Sequence, residues 1–313
     1  DWHRYFRETE AHNTVVIDGR SQAEFRGRLK WSHAPRADAH EWITLGALDY
    51  ADGSHYGYER LAAPVAHRRT VVFLKPYYWV VRDELVGEGQ HTVDRCFHFA
   101  TADVAHSRTT GGVQTRSANG RADLAVIPVE RDGVAVELAR GGPASAGGWL
   151  AVGYERKIQG AVAKFRNTSL LPAVFHTVLV PFRGGSPWVR VSARPIESDS
   201  GSLIDRAFEI TRPGGRDIWA FSKGRSARFH DGWVTDARST CVQLDDKGAI
   251  VGCALVAGSS VEVNGEPVLV LDRRVRAATI SVVGGHSTIE LSEPATIVAS
   301  TLVAPECSVC KAG

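Results

Sequence analysis

Alternation with a period of two runs through almost the whole chain and constrains the fold more than any other feature. Successive side chains of a strand point to opposite faces, so an alternating segment can bury one side of a sheet and cannot bury one stripe of a helix. In HTVDRCFHFA, Val93, Phe97 and Phe99 share one face, while Thr92, Asp94, Cys96 and His98 share the other. That is the pattern of a half-buried antiparallel strand. TVVFLK, YYWVVRDELV, ADLAVIPV, AVFHTVLVPF, AIVGCALV, SSVEVN and AATISVV repeat the theme, each about a strand long and rich in Val, Phe, Trp and Tyr. Asp246-Lys247-Gly248, Asn264-Gly265 and Gly284-Gly285 supply the residues that tolerate the positive φ of hairpin turns, Asn264-Gly265 most strongly. No stretch of three turns carries apolar residues at helical spacing between caps. The expected fold is all-β, a large antiparallel β-sandwich with few and short helices.

This sandwich is expected to span residues 1–303, with a polar tail over 304–313. The polar break IESDSGS, Ile196 to Ser202, is either the meeting point of two lobes or one long loop. Strand-like blocks resume directly after it, which favours the loop.

A chain of 313 residues, 43% hydrophobic and 23% charged, can bury a substantial core. No window approaches 18 apolar residues, so no membrane-spanning helix is expected, and no leader opens the sequence. Met is absent throughout, so Asp1 is not expected to be an initiator end; a processed product or a piece of a longer protein is expected instead. The net charge is +2, from 37 basic and 35 acidic residues, which provides no field that would argue for nucleic acid or a membrane surface. Five cysteines, at 96, 241, 253, 307 and 310, are too few and too odd for a disulfide framework.

The phosphate-cradling Gly-x-x-x-x-Gly-Lys-Ser/Thr, the Gly-x-Ser-x-Gly elbow and His-Glu-x-x-His are all missing. Cys307-Ser-Val-Cys310 is one pair where a closed tetrahedral site needs four ligands. His67-Arg68-Arg69 and Asp272-Arg273-Arg274-Val275-Arg276 read as solvated strand edges, although a guanidinium fork there could hold a carboxylate or sulfate. In EAHNTVVIDG, His12 precedes a short alternating run that ends on an Asp-Gly turn signal. Three readings of it stand on the residues alone: a packed histidine at a strand end, a metal ligand, or a catalytic base. His98, opposite a two-Phe face, reads as structural.

Several blocks in order resemble one family. Tyr5 to Gly19 followed by Gln22 matches the pattern R-x-T-x-A-H-N-T-V-x-x-D-G of the heparinase II/III-like polysaccharide lyases. Gly57 to Leu61, Pro64 to Arg69, Phe73 to Pro76, Tyr78 to Leu85, Phe97 to Phe99, and Gly148-Trp149 with Tyr154 are similar to the same family. The resemblance extends over roughly residues 1 to 300 and is most specific in the first third.

It implies a large enzyme with an N-terminal (α/α) toroid and a C-terminal antiparallel β-sandwich. Such an enzyme cleaves uronate-containing polysaccharides, heparin-like chains or alginate, by β-elimination. That chemistry needs a base for the C5 proton, an acid for the leaving oxygen and donors for the developing enolate-like charge. In the family these Tyr and His groups sit mainly on the toroid, and a further His lies upstream of H-N-T, so no catalytic residue is expected in this chain. In zinc-carrying members the His of H-N-T is one of three ligands, which assigns His12 to the metal and leaves the site incomplete here. Arg7, Asn13 and Gln22 are the candidate substrate-binding residues: Arg7 for a carboxylate, Gln22 for a hydroxyl, and Asn13 more a backbone anchor than a sugar contact. The expected partners are an acidic polysaccharide and the toroid in the same polypeptide, and the expected location is periplasmic or secreted. The rival reading is a non-catalytic carbohydrate-binding or structural β module.

Overall fold

The structure, a computed structural model, describes residues 2–27, 30–117, 121–143, 147–185, 187–194, 205–224, 226–229 and 232–303. The polar break at 196–202, the tail at 304–313 and the Cys307/Cys310 pair lie outside them. Among the described residues, apart from a four-residue helix, Trp2–Tyr5, and a 3-10 turn, Thr9–Ala11, the regular elements are strands, and every pairing is antiparallel. No helix among the described residues is long and apolar enough to cross a membrane.

The chain forms two compact units. The first comprises residues 1–41, 52–71 and 78–187, and the second 42–51, 72–77 and 188–313. The first is a sandwich. One sheet has four strands in the order Val15–Ile17, Gln90–Phe99, Ala161–Leu170, Ala135–Ala139. The other has eight, and its central strands are Val65–Leu74, Tyr78–Gly87, Ala173–Phe182 and Asp123–Pro128. Two apolar clusters draw on both sheets: Val15, Ile17 and Val93 pack with Tyr58, Leu85 and Phe175, whereas Phe97, Phe99 and Phe165 pack with Val104, Val113 and Val126.

The apolar face expected of residues 92–99 is buried, but the strand is not half-exposed: Asp94 and Cys96 on the opposite face are buried too, Cys96 against Val16 and Val162, and the inner face carries one addition. Arg95, fully buried, occupies the inner-face position between Val93 and Phe97. Its guanidinium donates to Asn167 Oδ1 at 2.9 Å and Thr177 Oγ1 at 3.4 Å, and lies 4.8 Å from the Phe175 ring centre. Burial lowers its pKa, while the carboxylates of Glu130 and Asp83 act in the opposite sense. Hydrogen bonds and nearby counter-charges let a charge persist in such a layer.

The Asp18-Gly19 and Asn264-Gly265 turns both place two successive residues at positive φ, 52° and 64° in the first, 54° and 81° in the second. This is the two-residue hairpin geometry whose twist matches that of strands. Asn264-Gly265 joins Val263 directly to its partner Glu266, and Gly284-Gly285 likewise joins Val283 to His286.

The second unit centres on a ten-stranded sheet in which the long strands Ile250–Val263 and Glu266–Val283 pair with each other. Ile218, Val242, Leu255, Leu269 and Ile280 form its apolar core. Cys241 and Cys253 are buried free thiols in this unit, as Cys96 is in the first.

Candidate functional site

Residues 10–15 enter the four-stranded sheet under close restraint. His98 Nε2 donates to the Glu10 carbonyl at 3.0 Å, and the His98 amide donates to Asn13 Oδ1 at 2.6 Å. The Cys96 amide donates to the Thr14 carbonyl at 2.9 Å, and the Tyr58 hydroxyl to the Val15 carbonyl at 2.8 Å. Arg69 donates to the Asn13 carbonyl. Every one of these bonds holds backbone or Asn13, and the His12 imidazole is left exposed on an extended residue. Asn13 thus spends its side-chain oxygen as an anchor. His98 is a satisfied histidine whose pKa is lowered by burial and by neighbouring His12 and Lys164.

Behind Asn13 runs a chain of polar side chains that sequence reasoning missed. Asp83 is fully buried and accepts from Arg69 Nε at 2.6 Å and Nη2 at 2.9 Å, and from His67 Nε2 at 2.7 Å. His67 Nδ1 lies 2.9 Å from His55 Nε2, and His55 Nδ1 accepts the Gly57 amide at 3.3 Å. An amide can only donate, so His55 carries its proton on Nε2 and donates to His67, whose own proton then faces Asp83. The His55 ring is held neutral with a defined tautomer. Burial opposes ionisation of Asp83, yet Arg69 and His67 outweigh it and hold the carboxyl well below the usual carboxylate range. Burial, His67 and Arg69 together push His55 down to about 4.

The reading of residues 67–69 as a solvated edge is therefore corrected. Only Arg68 points the other way, to Asp52, while His67 and Arg69 face the core because Asp83 is there to neutralise them. The signal was present in the alternation: positions 65, 67, 69 and 71 share a face that begins and ends on Val. The exposure expected of Asp272, Arg273, Arg274 and Arg276 is observed.

On the same unit lies a pocket of about 410 Å³ between the N-terminal turns and residues 19–25. Arg4, Arg20 and Arg60 alternate in its wall with Glu8, Glu10 and Glu24, and Thr9, Ser21 and Ser32 contribute hydroxyls. Thr9 Oγ1 and Ser21 Oγ are 3.0 Å apart, and the Gln22 amide donates to Thr9 Oγ1 at 2.8 Å. The hairpin of Glu24–Phe25 and Trp31–His33 adds a wall. Arg7 braces that hairpin: its guanidinium carbon sits 4.6 Å from the Phe25 ring centre and 4.3 Å from that of Trp31, and Nη1 donates to the Gly27 carbonyl.

Neither Arg7 nor Gln22 lines the pocket. Gln22 Oε1 is buried without a hydrogen-bond partner among the described residues. His12 and Asn13 are grouped with His98, and Arg7 and Gln22 with the hairpin and the pocket floor. A larger cavity of about 530 Å³ in the second unit is lined mainly by apolar residues such as Ile218, Trp233, Val242 and Leu302, so it offers little to a polyanion.

A three-ligand zinc site is not made by the described residues: among them no group of three or more His, Cys, Asp or Glu is placed to hold a metal ion. His98, the histidine near His12, already commits Nε2 to a carbonyl.

No curated protein matches the chain. Among solved structures, the heparan sulfate lyase HepC from Pedobacter heparinus is similar at a TM-score of 0.54 and 17% identity, over 69% of this chain and 31% of that one. Two heparinase III structures are similar at TM-scores of 0.53 and 0.52, with 16% and 18% identity, each over 69% of this chain and 30% of the other. At such identities the likeness speaks for the fold, and the chain spans about a third of the length of the structures it matches. The family described as Heparinase II/III-like, C-terminal matches residues 1–159, a narrower span than the blocks in the sequence suggested. That span contains the H-N-T segment, the buried relay and the pocket, and it is just over half of the chain, which therefore belongs to the heparinase II/III-like family through its C-terminal domain.

Proposed function

We propose that this chain is the β-sandwich part of a polysaccharide lyase that cleaves uronate-containing acidic polysaccharides by β-elimination. The observation that carries the reading is the family match over residues 1–159, the same residues that build the restrained H-N-T segment and the charged pocket. β-Elimination requires a positioned base and acid, each contributing factors of about 10² to 10⁴. Those groups are assigned to an N-terminal toroid domain in the same polypeptide, and this chain braces and lines the cleft. His12 would supply one zinc ligand of three in that longer protein, whose expected location is the periplasm or the medium.

The test is ultraviolet absorbance of the unsaturated uronate product, with alginate, heparin, heparan sulfate and hyaluronan as substrates. Activity is expected from the chain joined to its upstream domain and not from the 313-residue chain alone. Turnover by the isolated chain that a substitution within it abolishes would move the catalytic groups into the β domain. No product from either form would leave the carbohydrate-binding module as the better description.

A further inference from the structure

The pocket beside Val15–Ile17 is preformed, and its charges are nearly all spent within the protein. Arg4 pairs with Glu8 at 2.7 Å, Arg60 with Glu24 at 3.0 Å, and Glu10 with Lys164. Arg60 is further committed to the carbonyls of Gly57 and Ser21. Arg20 lines the same space and is exposed, and its side chain has no hydrogen bond or ion pair among the described residues. The wall thus presents one open guanidinium among three carboxylates that can still accept hydrogen bonds from hydroxyl groups. Val16 and Phe25 supply apolar surface beside them.

Resting on the reading of the chain as part of an acidic-polysaccharide lyase, we infer that this pocket is a subsite for a saccharide residue carrying one carboxylate and no sulfate. A volume of about 410 Å³ is within the range of small-ligand sites, roughly 300 to 1,000 Å³. The planar Arg20 fork matches a carboxylate with two parallel hydrogen bonds. The Glu8 and Glu24 carboxylates and the Ser32 hydroxyl face the remaining polar groups of such a ring. A second or third anionic group on the same residue would find Arg4, Arg60 and Lys164 already paired with Glu8, Glu24 and Glu10, and this lack of a further open cation gives the pocket its selectivity. Because the ion pairs and the Thr9–Ser21 contact exist without ligand, little ordering is needed on binding.

The experiment is a chemical-shift titration of the 313-residue chain with three probes: an unsulfated glucuronate–N-acetylglucosamine disaccharide, its methyl ester, and its counterpart sulfated at O2 of the glucuronate. The acid should shift the amides of Gly19, Arg20 and Ser21, and the ester should bind about 10-fold more weakly, the scale of a hydrogen-bonded charge contact. Arg20→Gln should lower the affinity for the acid to that for the ester and leave the ester unchanged. The sulfated probe should bind no more tightly than the acid. Equal binding of acid by Arg20→Gln and the parent chain, tighter binding of the sulfated probe, shifts confined to another face, or no binding of any probe would each overturn the subsite. The lyase reading falls separately, and only if the longer protein also forms no unsaturated product.

Discussion

Acidification should weaken the first unit through His55, and the size of the effect follows from its place in the relay. The ring is held at about 4 against an ordinary 6.5 because it is largely buried, beside His67 and near Arg69. Protonating Nδ1 would also set an N–H against the Gly57 amide that it now accepts. The folded-state pKa is depressed, so between 6.5 and 4 the unfolded chain binds a proton that the folded chain refuses. The corresponding stability is fully present above about pH 6.5 and is lost as pH falls toward 4. A difference of 6.5 − 4 = 2.5 units, at about 1.36 kcal/mol each, amounts to about 3 kcal/mol. His98 is lowered as well and adds loss of the same sign, so a variant is needed to isolate His55. Asp83, held low by Arg69 and His67, loses its share only in stronger acid, below the unfolded carboxyl value of 3.8. His55→Gln places an amide where it can accept from Gly57 and donate to His67 without titrating. Urea unfolding from pH 7 to pH 4 should show the parent losing about 3 kcal/mol more than His55→Gln, with a His55 imidazole titration near 4 by NMR. Equal pH slopes in the two proteins, or a His55 midpoint near the ordinary value, would refute the neutral state and tautomer of His55.

Arg69→Ala removes one partner of a fully buried carboxylate and should cost about 3 to 5 kcal/mol, with faster amide exchange at His12 to Thr14 because the Asn13 carbonyl loses its donor. Asn13→Ala should cost about 1 kcal/mol and expose the His98 amide to exchange, a smaller effect because one hydrogen bond is lost. Cys96 and Cys253, pushed up to about 12 by burial, and Cys241, raised well above its ordinary value by burial, should resist thiol reagents until the chain unfolds; labelling of these three under native conditions would contradict their burial. Zinc should bind this chain weakly, as measured by competition with a chromogenic chelator, and His12→Ala should lower the zinc content of the longer protein; tight, stoichiometric binding by the 313-residue chain would reveal a ligand set other than the one inferred from His12.

Strand identity, the burial of Val93, Phe97 and Phe99, and the Asn264-Gly265 turn were legible in the amino acids because side-chain alternation and backbone φ preferences are local properties. Family membership was legible too, since residues 5–22 carry a run of side chains in a recognisable order. Which strands pair is a different matter, because long-range register leaves no trace in a single segment. Only the pairing of Val15–Ile17 with Gln90–Phe99 brings Asn13 to His98, 85 positions away, and only the facing sheet brings Arg69 to the Asn13 carbonyl. The same holds for the buried charges. Arg95 and Asp83 stand at core-facing positions that local pattern alone would assign to apolar residues, and what makes them tolerable is a set of partners from distant strands: Asn167 and Thr177 for one, His67 and Arg69 for the other. The pocket draws its cations from positions 4, 20 and 60, and whether each is open or already paired depends on where the chain lays Glu8 and Glu24 beside them, a spatial fact that composition and spacing do not contain.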